Sequence, residues 1–404
     1  MRGKKKIAIL GWGLEGKWLH AYLCRNKNLE LAVLDRKFDK DYLKNLGRFD
    51  IIYRSPGVPY NLPQIQKVKS KMSSLTKLFF ERAKGKVAGI TGSAGKTTTA
   101  TLLHRILKAA RRDVHLAGNI GKNPLALLPK LSGKSVTVLE LSSFQLQDLD
   151  RSQGLAVVLD VYEEHLDKHK TSGEYLRAKE NIARFQKRSD FIIYAGQNRR
   201  SKKIASRSPG KKIAVFTSDG EKYETLLPGR ANLKNVAAAA RAARLLGVRQ
   251  EVIRKAIKTF RGLEHRLEYV RAVCGIKFYN DSKATNVGSA VAGLDAFKEN
   301  KIVLAGGHNK NLSFRPYAKR LVKPDVSWVV LFGKARREIA RELRRAKSTR
   351  FSSVSSLDRA VREARLRAKK GEIVILSPAA ASFDAFKNYE ERGEYFKKLV
   401  RRFK

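Results

Sequence analysis

Apolar residues along this chain fall into short runs, separated by longer stretches in which apolar positions recur every three or four residues. The runs read as buried strands: Lys4–Leu10, Leu31–Leu34, Phe49–Tyr53, Val87–Ile90, Val136–Leu139, Leu155–Leu159 and Phe191–Tyr194, then Lys277–Tyr279, Ile302–Ala305, Trp328–Phe332 and Ile373–Leu376. The stretches between them read as amphipathic helices. One carries Leu102, Leu103, Ile106, Leu107 and Ala110 on a single face; another, alanine-rich, runs Leu233–Leu246 behind Pro228-Gly-Arg-Ala-Asn232. Strand alternating with helix predicts the α/β class with parallel sheets. Boundaries near Ala83 and Leu263, with Gly262 as a hinge, predict three α/β domains at 1–83, 84–263 and 264–404. Gln197–Gly210 has few apolar residues and reads as a mobile basic loop.

Residues able to do chemistry gather where the strands end. After Val87–Ile90 comes Thr91-Gly-Ser-Ala-Gly-Lys-Thr-Thr98 and then a helix. That order suits a phosphate cradle, because backbone N–H groups and the positive end of the helix meet the anion and glycine allows close approach. Gly92, Ser93, Ala94, Gly95 and Thr98 would line it. Lys96 would meet the terminal phosphates of ATP and Thr97 would help to hold Mg²⁺. The motif is the looser G-x-x-G-K-T, with Ile90 where the strict pattern has glycine. Glu140, closing Val136–Leu139, reads either as a Mg²⁺ carboxylate or as a plain strand-terminal acid. Nearer the start, Gly11-Trp-Gly-Leu-Glu-Gly16 precedes a helix, and a second strand ends in Asp35, nineteen residues past Gly16. These are the parts of a dinucleotide fingerprint, which alone supports an NAD-dependent oxidoreductase. Ser55-Pro-Gly57 makes a further turn at a strand end.

Composition changes this picture in one respect. There are 85 Lys and Arg against 37 Asp and Glu, a net charge of +48. Such charge suits a polyanion partner or a strongly solvated surface. The cations are spread thinly and no aromatic-studded RNA-binding motif lies among them, so the solvated surface is preferred and no specific nucleic acid is expected. A basic nucleic-acid-binding ATPase would use the charge and the phosphate loop but leave the C-terminal strand ends idle. No apolar stretch matches a membrane span. The charged start, Met1–Lys6, is followed by too short an apolar core for a signal peptide. Cys24 and Cys274 lie far apart without metal-ligand spacing, which suits a reduced, cytoplasmic setting.

The most specific stretches are Glu140-Leu-Ser-Ser-Phe-Gln-Leu146, Asn280-Asp-Ser-Lys-Ala-Thr-Asn286 and Ser382-Phe-Asp-Ala-Phe-Lys-Asn-Tyr-Glu-Glu-Arg-Gly393. With the phosphate loop and in this order, they make the whole chain resemble the Mur ligase family of peptidoglycan synthesis. The resemblance implies a Rossmann-like first domain, a P-loop ATPase-like centre and a Rossmann-like last domain. It also implies an ATP-dependent ligase, monomeric, that joins D-glutamate to UDP-N-acetylmuramoyl-L-alanine through an acyl phosphate. Gly13, Leu14, Asp35, Arg36, Ser55, Pro56 and Gly57 would then hold the uridine nucleotide, and Asn119 the muramoyl group. Lys96, Glu140, His165 and Lys179 would be catalytic. Thr97, Glu140 and His165 would hold up to two Mg²⁺ ions together with a carbamylated Lys179. Asn232, Asn235, Arg266 and Asp281 would bind ATP beside the loop. Lys283, Thr285, Lys310, Ser382, Phe383 and Tyr389 would receive the amino acid. The chain departs from the family pattern at Ser93-Ala94, Asp160, Glu164, Ala231, His308 and Asn309.

Overall fold

The computed structural model describes residues 4–120, 122–152, 154–162, 171–309 and 313–403. The chain divides into two compact units, Met1–Tyr223 with Lys234–Ile257, and Glu224–Leu233 with Lys258–Lys404.

The first unit holds two sheets. In the first, β1 (Lys5–Leu10), β2 (Leu29–Leu34), β3 (Ile51–Arg54) and β4 (Met72–Ser73) lie in the order β2-β1-β3-β4, all parallel. In the second, β5 (Lys86–Thr91), β6 (Val114–Gly118), β7 (Val136–Glu140), β8 (Leu155–Val158), β9 (Phe191–Ala195) and β10 (Lys211–Val215) lie in the order β10-β9-β8-β5-β7-β6, again parallel. Parallel strands need helical crossovers, which cover both faces and explain why the strands read as unbroken apolar runs. Ile90, Val138, Ala156, Val157 and Ile192 are fully shielded. β5 lies between β7 and β8, so its carboxyl end opens where the chain turns to opposite sides, the place where open α/β sheets bind ligands.

The second unit holds one sheet. Its strands are β11 (Glu268–Val273), β12 (Ile276–Asn280), β13 (Lys301–Gly306), β14 (Val326–Phe332), β15 (Phe351–Ser353) and β16 (Ile373–Ala379), in the order β11-β12-β16-β13-β14-β15. Only β11 runs antiparallel to its neighbour, β12. Apolar clusters cover both faces, one with Tyr317, Val303 and Leu343, the other with Phe278, Leu304 and Phe396.

Two readings of the pattern need correction. The expected loop Gln197–Gly210 contains the helix Arg199–Ser206, whose first turn is capped by Asn198 through a 2.9 Å bond from the Ser201 amide. Ser201, Ile204 and Ala205 suffice to bury one face of so short a helix, although the other face is almost wholly cationic. The strands β4, β6, β10, β11 and β15 also lack a clear run. They are short, or carry polar residues such as His115 and Arg271, and only neighbouring strands hold them extended.

Candidate functional site

The turn from β1 into the helix Leu14–Leu23 is tightly packed. A side chain at Gly16 would place its Cβ 2.0 Å from the Gly11 carbonyl oxygen, so only glycine fits there. Ser55 donates to the same carbonyl at 2.9 Å and draws the Ser55–Gly57 turn against the glycine turn. Asp35 accepts from the Trp12 amide at 2.6 Å and from the Lys37 amide at 2.9 Å. Those two amides, Trp12 first, hold its carboxyl below the usual range. The outcome is a cleft of about 510 Å³ lined by Gly13, Leu14, Asp35, Arg36, Ser55, Pro56, Gly57 and Asn119, with Trp12 and Tyr42 as aromatic walls. All eight residues expected to hold the nucleotide or muramoyl group thus line one cleft.

Asn119 also reaches a second cleft, of about 240 Å³, that borders Gly92, Lys96, Tyr175 and Lys179. Gly95 caps the helix Lys96–Ala109 in a left-handed conformation, φ +82°, and a Cβ there would lie 2.2 Å from Asn235 Oδ1. Lys96 lies folded over the loop and donates to the carbonyls of Gly92 (2.8 Å) and Ser93 (2.9 Å). Ser93 bonds the Tyr175 hydroxyl at 2.9 Å, so the serine at this departure from the family pattern is held by the wall of the cleft. Thr97 and Thr98 sit half-buried in the first helical turn.

Lys179 projects from the helix Ser172–Arg184 and is 2% exposed. Its Nζ donates to the Gly92 carbonyl at 3.0 Å and to Thr91 Oγ1 at 3.2 Å, and lies 4.9 Å from the centre of the Tyr175 ring. Glu140, also 2% exposed, closes β7; its Oε1 accepts from Asn119 Nδ2 at 3.2 Å. Glu140 Oε2 is buried and has no hydrogen-bond partner among the described residues. A buried carboxylate oxygen left bare is costly, and a bound hard cation would satisfy it. This favours the Mg²⁺ reading of Glu140 over a plain strand terminus. His165 lies outside the described residues, and among those described no three His, Cys, Asp or Glu side chains gather.

In the second unit, Asp281 follows β12 and is buried. It accepts from the Leu267 amide at 3.2 Å. Arg266 is exposed beside it. Lys283, also exposed, stands 5.6 Å from the centre of the Tyr389 ring, while Thr285 follows on the same turn. Ser382 is buried and Phe383 is 59% exposed. The residue that the motif readings passed over is Arg392. It is fully buried and bonds Ser282 and the carbonyls of Ser282, Ala380 and Ala381 at 2.9–3.2 Å, tying the Asp281–Thr285 turn to the strand end that carries Ser382. Burial pushes its pKa down to about 10. Its place within Ser382–Gly393 was visible, but its partners are backbone oxygens, which leave no mark on a sequence. Asn232 caps a turn by donating to Pro228 O at 2.7 Å. Lys310 lies outside the described residues.

A glycine loop at a helix start, a buried carboxylate, a buried lysine and a separate aromatic-walled cleft are parts that an ATP-consuming enzyme with a second, larger substrate would need. Residues 90–222 match the Mur ligase middle domain, and residues 265–380 match the Mur ligase, glutamate ligase domain. The chain belongs to the Mur ligase family. It is 35% identical to the UDP-N-acetylmuramoylalanine--D-glutamate ligase of Acetivibrio thermocellus, over 98% of this chain and 96% of that one. It is 38% identical to the enzyme of the same name from Symbiobacterium thermophilum, over 89% and 85%. Among solved structures it is similar to UDP-N-acetylmuramate-alanine ligase from Thermotoga maritima, with TM-score 0.57 and 16% identity over 98% and 99% of the two chains. It is also similar to a MurF ligase from the same organism in complex with ADP, with TM-score 0.55 and 20% identity over 91% and 92%. At these identities the structures support the fold alone. Ligase relatives that span the chain do not favour an oxidoreductase built on Gly11–Gly16.

Proposed function

We propose that this chain is an ATP-dependent ligase that joins D-glutamate to UDP-N-acetylmuramoyl-L-alanine, in peptidoglycan precursor synthesis. The observation that carries the reading is the full-length likeness to ligases of that name, in a chain whose Gly92, Lys96, Asn119 and Lys179 line one cleft, with Glu140 bonded to Asn119 behind it. We further read the chain as a cytoplasmic monomer with three domains, 1–83, 84–263 and 264–404. No helix among the described residues is long and apolar enough to cross a membrane.

A carboxylate is a poor acyl donor, because oxide is a bad leaving group. Transfer of the γ-phosphoryl of ATP to the muramoyl-alanine carboxylate gives an acyl phosphate. The amine of D-glutamate then attacks the acyl carbon, phosphate leaves, and the amine loses a proton. Such transfer needs positioning and charge neutralisation more than covalent help from the protein. Loop amides and Lys96 would hold the phosphates, while Asn119 would orient the muramoyl group. Arg266 and Asp281 would add to ATP binding from the C-terminal segment, and Asn232 and Asn235 would border the adenine. Lys283 and Lys310 would pair with the carboxylates of the amino acid, with Thr285, Ser382, Phe383 and Tyr389 around them. Glu140 Oε2, Thr97 and His165 would hold Mg²⁺, as hard oxygen and neutral nitrogen donors. When bound, the ion neutralises charge on the transferring phosphoryl group. Lys179 would join this set by adding, as the neutral amine, to CO₂: an N–C bond forms, a proton leaves, and the carbamate oxygens would supply hard donors.

Phosphate release from ATP with UDP-N-acetylmuramoyl-L-alanine, measured against D-Glu, L-Glu, D-Asp and D-Lys, tests the assignment. D-Glu should exceed D-Lys by about 100-fold or more, the scale of one lost buried ion pair. Equal turnover with D-Lys would overturn it. Lys179→Ala should bind ATP yet lose ligation, and acetate or formate should restore part of the rate. Near-full activity of that variant without added carboxylate would remove the carbamate role.

A further inference from the structure

The segment leaving β8 forms one wall of the phosphate loop. The Ser93 amide donates to the Asp160 carbonyl at 2.8 Å, and Ser93 Oγ accepts from the Tyr162 amide at 2.9 Å. Asp160 turns its carboxylate the other way, onto Lys234 of the helix Arg230–Leu245. The side chains are 13% and 18% exposed, so solvent screens the pair little. The next residue along that helix, Asn235, is buried, and its side-chain amide lies against Gly95 at the far end of the same loop. The contacts therefore close a ring: loop, Asp160, Lys234, Asn235, loop. Asp160 is one of the departures from the family pattern, and here it has a cation of its own.

We propose that the Asp160–Lys234 pair is a positioning device that clamps this helix to the phosphate loop and so sets affinity for ATP without touching the reacting atoms. The proposal rests on the reading of Gly92–Thr98 as the ATP loop. Because the pair is neutral overall, it adds no net charge beside the phosphates. Its effect is geometric: with one partner gone, the other is left half-buried and charged, and the helix or the loop must shift to hydrate it. Lys234 would otherwise stand free beside a polyphosphate, where it could bind ADP as readily as ATP.

Steady-state kinetics of Asp160→Asn, Lys234→Gln and the double variant provide the test, with all three substrates varied. Each single variant should raise KM for ATP about tenfold or more, equivalent to about 1.4 kcal/mol. The values of kcat and of KM for UDP-N-acetylmuramoyl-L-alanine and D-glutamate should stay within about twofold. The double variant, whose two amides can still hydrogen-bond, should show a smaller rise than the product of the single effects. The proposal is overturned if KM for ATP does not move, if it rises together with both other KM values, if the double variant is multiplicative, or if kcat alone falls. A lowered melting temperature with unchanged KM for ATP would make the pair merely structural and overturn it as well. Should Lys234→Gln fail to fold, Asp160→Asn, which alters charge with almost no change of volume, decides the question alone. Ligation by the unaltered protein without ATP would instead remove the underlying loop reading, a separate outcome.

Discussion

Asp281 illustrates what burial does to a single functional group. Loss of hydration raises its pKa from 3.8 to about 7, against the opposing effects of the Leu267 amide and the Arg266 cation. The folded chain therefore holds this proton more tightly than the unfolded chain does. The stability linked to that proton is complete below about pH 4 and is lost as pH rises to about 7. In Asp281→Asn this titration is absent. Urea midpoints without substrates should therefore shift in favour of the variant between about pH 5 and about pH 8. A difference that does not change with pH would contradict the buried-acid account.

Single elements place the chemistry by ending where they do. β5, β7 and β8 finish side by side, so Thr91, Glu140 and the Asp160 segment emerge at one edge although they are far apart in sequence. The helix Lys96–Ala109 starts at Gly95, whose left-handed backbone turns the chain so that the first helical amides face the loop. Gly95→Ala should cost roughly 1–2 kcal/mol from backbone strain alone. It would also drive a methyl group into Asn235. The thermal stabilisation that a non-hydrolysable ATP analogue confers on the unaltered protein should shrink or vanish in this variant. A variant stabilised as much as the parent by the analogue would show that the close approach is unimportant.

At the scale of the molecule, the two sheets of the first unit share one apolar cluster, with Ile9 and Leu19 from one side and Leu139 and Val158 from the other. A buried ion pair crosses the same boundary. Arg54, at the end of β3, bonds Asp148 at 2.6 Å and also the carbonyls of Val58 and Phe144; both charged side chains are at most 3% exposed. Burial pushes the Asp148 carboxyl up, and Arg54 offsets this only in part. Asp148→Ala should destabilise this unit by about 3–5 kcal/mol, because the guanidinium would be left buried without its counter-charge. Pairing that change with Arg54→Met should recover much of the loss. Denaturant unfolding measures both, and a cost under about 1 kcal/mol for Asp148→Ala would refute the argument. Because Arg54 directly precedes Ser55–Gly57, the pair also anchors one lip of the larger cleft to the sheet that carries the glycine loop.

Local chemistry was legible in the sequence wherever one residue type was physically required. Parallel strands buried on both faces must be apolar runs, a turn pressed against a carbonyl must be glycine at Gly16, and a phosphate cradle must place Lys96 just past Gly95. Hence the α/β class and the main strands that end at these turns could be read directly. Tertiary structure decided what depends on partners distant in the chain. It set Glu140 behind Asn119 and Lys179 on the Gly92 carbonyl, gave Arg392 its backbone acceptors, set Asp148 opposite Arg54 and paired Asp160 with Lys234. In a chain with 85 cations, composition and spacing do not mark which lysine or arginine is buried. Only the packing of elements selects those few from the many that stay in water, because desolvation raises the energy of a charge until a specific oxygen offsets it.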